Sequence, residues 1–117
     1  MKHLSFSKTT AAAIIGMASF ATLLVQCAPG LYAPATDQAA WASEKFTTAV
    51  TVQDLEDGKT LYPLYCATCH ELQMPGQYTL AEWQNIYPIM AEKVSLADSS
   101  EQKIMYYLYA GARDAGK

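Results

Sequence analysis

The sequence predicts a small all-α domain behind an export segment, on three observations. Apolar residues recur at steps of three and four through the second half of the chain. Helix-start pairs recur at Thr51/Asp54, Thr79/Glu82 and Ser99/Gln102. No segment alternates apolar and polar residues with the period of two that a half-buried strand needs.

The first element is a leader. Lys2 and Lys8 make a basic start, and an apolar stretch from Ala11 to Val25 follows. A charged start, a short apolar core and a processing point define a secretory signal. The stretch is shorter than the ~20 mostly apolar residues of a membrane span. Leu24-Val25-Gln26-Cys27 resembles a bacterial lipoprotein processing site, in which the cysteine becomes the lipidated first residue of the mature chain. Gln26 departs from the small residue usual there. The expected division is a signal peptide over 1–26, a tether over 27–50 and the folded domain over 51–117.

Cleavage before Cys27 leaves 91 of the 117 residues, with six basic and eleven acidic side chains and a formal net charge of −5. An acidic chain lacks the basic face that neutralises phosphates, which argues against nucleic acid. A partner with a basic docking patch is expected instead.

In the tether, Pro29, Gly30 and Pro34 oppose regular structure, and Asp37 to Phe46 suits a short helix with Trp41 and Phe46 as apolar contacts. Thr51 caps the next helix, with Asp54 in its first turn. Leu55, Leu61, Tyr62 and Tyr65 lead it towards Cys66. Pro63 is expected to kink or break this helix, because it removes a backbone donor and crowds the preceding turn. Met74-Pro75-Gly76 is turn chemistry, expected to end a helix begun at the cysteines. Thr79 and Glu82 form a capping box for a further helix, whose stripe is Leu80, Trp83, Tyr87, Met90 and Val94. Pro88 should bend or divide it. Ser99 marks the last helix, with Ile104, Tyr107, Leu108 and Gly111 on one face.

Cys66-Ala67-Thr68-Cys69-His70 has the spacing of a c-type haem attachment site. Thiols three residues apart project to one side, where each can add to one vinyl group of a porphyrin. The adjacent imidazole can then ligate the iron. Thiol exchange and zinc binding also use Cys-x-x-Cys. Thiol exchange of the thioredoxin type wants a βαβ setting, and a structural zinc site wants four ligands. Of the chain's two histidines, His3 lies in the leader, so His70 is the one imidazole left after maturation. That removes a bis-histidine haem and leaves methionine, a weaker ligand or an open position opposite His70. Met90 lies on the stripe with Trp83 and Tyr87, far enough along the chain to cross to the other side. Met74, four residues past His70, Met105, off the apolar face, and a vacant position are the alternatives.

Gly58-Lys59-x-Leu61-Tyr62-x-x-x-Cys66-x-x-Cys69-His70 resembles the first helix and attachment site of class I cytochromes c. Tyr78-Thr79-x-x-Glu82-Trp83-x-x-Ile86-x-x-x-Met90, and Tyr107-Leu108 at the end, look like the small mono-haem, lipid-anchored bacterial members. The resemblance spans about half to two-thirds of the chain. It implies a cytochrome c-like helical fold around one covalently attached haem, with the first and last helices packed near-perpendicular through Gly58, Tyr62 and Tyr107. It implies Cys66 and Cys69 as attachment residues and His70 and Met90 as axial ligands to the iron.

A chain of this size buries only a modest core. Leu61, Trp83, Tyr87, Ile104 and Leu108 are therefore expected to pack on the porphyrin. The expected function is a single-electron carrier, not an enzyme, lipid-anchored through Cys27 on the periplasmic side of a membrane and serving redox partner proteins. The alternative is a haem-based gas sensor, or a small haem enzyme or subunit, with an open distal site.

Overall fold

The structure, a computed structural model, describes residues 30–117. The signal peptide and the lipidation expected at Cys27 lie outside them. The described residues form an all-α bundle: α1 Thr36–Phe46, α2 Val52–Cys66, α3 Leu80–Ala91 and α4 Asp98–Ala110, with a single 3-10 turn at Pro75–Gln77. None of these helices is long and apolar enough to cross a membrane.

Local chemistry explains two of the helix starts. The Thr51 hydroxyl accepts from the Asp54 amide at 3.1 Å, and the Thr51 amide donates back to Asp54 Oδ2 at 2.9 Å. At α3 the Glu82 amide donates to Thr79 Oγ1 at 3.2 Å, and the Thr79 amide to Glu82 Oε2 at 2.7 Å. Each box satisfies amides that a helix end leaves without partners. α4 begins before the Ser99 expected from sequence. Its cap is Ala97, whose carbonyl accepts from Ser100 and Glu101, and no side chain caps it.

Both prolines sit inside unbroken helices, so the expected break at Pro63 and division at Pro88 do not occur. Each lies in the last turn or so, and each gives up one bond, its own N–H to the carbonyl four residues earlier. Each proline carbonyl still accepts, Pro63 from Ala67 at 3.3 Å and Pro88 from Glu92 at 3.2 Å. The missing N–H is the local cost.

α4 is the central element. Ile104, Tyr107 and Leu108 are fully buried, and Tyr106, Tyr109 and Ala110 are nearly so. α4 packs against α2 where Gly58 meets Lys103 and Tyr107. A Cβ on Gly58 would lie 2.8 Å from Tyr107 Cβ, so the two backbones approach as closely as only glycine permits. On another side of α4, Ala39, Ala42, Val50 and Leu55 close a second small core with Tyr106 and Ala110. The segment read as a tether thus packs back on the domain as α1. Tyr32 reinforces it, with its ring stacked on Tyr107 at 4.5 Å between centroids and its hydroxyl donating to Tyr107 O at 2.7 Å. Every buried side-chain polar atom of the described residues has a partner. The tyrosines fill the core without orphaned hydroxyls, as buried phenols require.

Candidate functional site

α2 ends at Cys66, and the chain leaves it through a turn carrying Cys69 and His70. The helix therefore ends at the cysteine pair rather than beginning there. The Ala67 amide still bonds the Pro63 carbonyl, which holds Cys66 on the last turn. Beyond His70 the segment is pinned to the bundle. The Tyr62 hydroxyl donates to Gln73 O at 2.7 Å, and Trp83 Nε1 donates to Pro75 O at 2.7 Å.

This segment, α2 and α3 enclose a cavity of about 420 Å³, within the range of small-molecule and cofactor sites. Cys66, Cys69 and His70 stand on its wall, and so does Met90 from α3. Four residues separated by up to 24 positions are thereby brought to one space. Trp83, Tyr87 and Leu108 form its apolar floor, all buried. Of the residues expected to pack on a cofactor, Ile104 and Leu61 are not among its walls. Ile104 is fully buried in the core that holds Tyr62, Trp83 and Tyr107, and Leu61 lies beside Asp57, Thr60 and Lys103 at a separate groove. Met74 and Met105 do not line the cavity; Met105 packs against the edges of both cores.

The four expected site residues differ in environment. Cys66 is half-buried, and burial pushes its thiol pKa up. Cys69 and His70 are exposed, and Met90 is 38% exposed at the cavity mouth. Both cysteines are free. His70 Nδ1 lies 2.7 Å from Glu71 O. A carbonyl only accepts, so Nδ1 is the donor in this bond, and Nε2 is the ring nitrogen left to face a metal. Among the described residues, no three His, Cys, Asp or Glu side chains are gathered to hold a metal ion. No carboxylate lines the cavity, and Lys93 is the one lysine or arginine that does. Burial pushes the Tyr62 and Tyr87 phenols far above the usual tyrosine range, so both stay neutral donors. Tyr62 bonds Gln73 O, and Tyr87 bonds Glu101 O at 2.6 Å.

Gln73 and Lys93 also line the cavity and were not singled out from sequence; Tyr78 and Ile86, named there within the family resemblance, line it too. Lys93 lies past the end of α3 at Ala91, as does Val94, so the helical stripe expected to reach Val94 stops short of both. Gln73 and Tyr78 sit in an irregular segment with no periodicity to read. No protein-family model, curated protein or solved structure matches the chain.

Proposed function

We propose that the chain is a mono-haem c-type cytochrome of cytochrome c-like fold, lipid-anchored through Cys27 on the periplasmic face of a membrane, that carries single electrons. One observation carries the reading: the thiols of Cys66 and Cys69, the imidazole of His70 and the thioether of Met90 share the walls of one apolar cavity.

The residues suit a haem. Cys66 and Cys69 would each add S–H across one vinyl group, forming two thioethers without any other reagent. His70 offers Nε2 to the iron while Glu71 O holds its other nitrogen. Met90 would be the second protein ligand to the iron, and a thioether ligand favours the ferrous state and raises the potential. Trp83, Tyr87 and Leu108 exclude water from the floor, and Lys93 is placed to pair with an anionic group at the rim. When bound, the haem supplies a one-electron couple. Docking through a small surface at the exposed Met90 side suffices for a transient redox encounter.

The test is the visible spectrum of the matured protein, oxidised and reduced, with and without carbon monoxide. A low-spin spectrum with a methionine-to-iron charge-transfer band, unmoved by carbon monoxide, is expected. A high-spin spectrum that shifts with carbon monoxide replaces the carrier with a sensor or an enzyme. Absence of covalently bound haem ends the reading altogether.

A further inference from the structure

The carbonyl that holds His70 is itself held. Gln73 Nε2 donates to Glu71 O at 3.2 Å, the same oxygen that accepts from His70 Nδ1 at 2.7 Å. A carbonyl oxygen has two lone pairs, so it can serve both donors. Gln73 is in turn anchored at two further points. Its backbone carbonyl accepts from Tyr62 OH at 2.7 Å, and its side-chain Oε1 lies 3.4 Å from Tyr78 OH. Tyr62 is buried on α2, so the chain of bonds runs from the core of the bundle, through Gln73, to the back of the imidazole.

Without that anchor Glu71 O would be a loosely placed acceptor. Glu71 is exposed and lies in a stretch without regular structure between the end of α2 and the turn at Pro75. No helix ladder fixes the direction of its carbonyl. Besides the imidazole itself, the group that bonds it is the side chain two residues on. Gln73 also lines the cavity and is half-buried, and its bond to Glu71 O lies at the exposed side.

We infer that Gln73 is a positioning residue that sets the electron-donating strength of His70 by fixing the Glu71 carbonyl against Nδ1–H. The inference rests on the haem reading above. A well-held N–H···O bond moves electron density onto the ring and strengthens it as a ligand, and outer-shell partners of this kind change metal affinity 10- to 100-fold. Ferric iron gains more from a stronger donor than ferrous iron does. Gln73 thus keeps the reduction potential lower than the His–Met pair alone would give.

The experiment uses the lipidated holoprotein carrying Gln73→Met, which keeps the length and removes the donor. Gln73→Asn, which keeps the amide one carbon too short to bridge, repeats the test should the first variant fail to mature. Covalent haem is scored first by the absorption of the denatured protein. Its absence from the wild-type protein overturns the haem reading itself, independently of Gln73. With haem in place, the ferrous-to-ferric ratio at fixed potential should rise three- to tenfold, a positive shift of about 30–60 mV for one electron. The His70 Nδ1 proton should also exchange faster with solvent by nuclear magnetic resonance. A purely structural role for Gln73 would lower the melting temperature and leave both readouts unmoved. An unchanged or lower potential in a variant with intact haem overturns the inference.

Discussion

Adding one methyl group at Gly58 tests the contact that organises the bundle. A Cβ there would sit 2.7 Å from the Lys103 carbonyl carbon and 2.8 Å from Tyr107 Cβ. Carbon pairs prefer ~3.5–4.0 Å, so α2 and α4 must part by roughly 1 Å. The Lys103 carbonyl is helix backbone and cannot rotate away as a side-chain tip would. Overpacking costs about 1–3 kcal/mol, and a backbone obstacle puts this site at the upper end. Alanine regains about 1 kcal/mol over glycine in a helix interior. The net expectation for Gly58→Ala is about 2 kcal/mol of destabilisation, a fall in Tm of roughly 8–16 °C for a domain of this size. Thermal unfolding followed by far-ultraviolet circular dichroism measures it. Gly76→Ala is the matched control, since its Cβ would meet only Gly111 O at 3.8 Å. A Gly58→Ala protein as stable as the parent, or more stable, refutes the reasoning. Helix propensity would then have won, and the two helices could not meet as closely as described. The site feels the same change, because Tyr62 on α2 and Leu108 on α4 both form cavity walls.

On the proposed haem reading, Met90→Ala should abolish the methionine-to-iron band and admit carbon monoxide, while Met74→Ala and Met105→Ala should leave the spectrum as it was; the three visible spectra test the proposed role of Met90. Acid should destabilise the domain, as Tm measured between pH 7 and pH 3 will show. The bonds from Thr51 hold the Asp54 carboxyl below its ordinary range, the Lys103 ammonium does so for Asp57, and the bonds from Thr79 do so for Glu82. A carboxylate with a lower pKa folded than unfolded contributes its full stability above the ordinary carboxylate pKa of about 4. That contribution is lost as pH falls through the folded value. Thr79→Ala should cost about 1 kcal/mol at neutral pH through the lost cap, and should flatten the acid limb only in part, because the hydroxyl bond to Glu82 is lost while the residue 79 amide still donates to Glu82 Oε2. An acid limb as steep as the parent's would show that the Thr79 hydroxyl adds nothing to the hold on Glu82.

Much of the helical layout was legible because its causes are local. The Thr51–Asp54 and Thr79–Glu82 pairs act within three residues, and they open α2 and α3 as read. The α4 start was not legible, because Ala97 caps with its backbone carbonyl alone and offers no side-chain signature. Nor could periodicity reveal that Tyr106, Tyr109 and Ala110 are buried as well as Ile104, Tyr107 and Leu108. A one-face pattern assumes one neighbour, and α4 has α1, α2 and α3 around it.

The candidate site divides along the same line. The sequence by itself determined the spacing of Cys66, Cys69 and His70, since adjacency along the chain sets their reach. Only the tertiary structure decided that Met90, and neither Met74 nor Met105, shares their cavity. It also decided that Gln73 stands behind the imidazole. Those placements depend on how α2 and α3 dock on α4, through contacts such as Tyr87 OH to Glu101 O and Trp83 Nε1 to Pro75 O. Neighbours in space that are distant along the chain leave no local pattern to read.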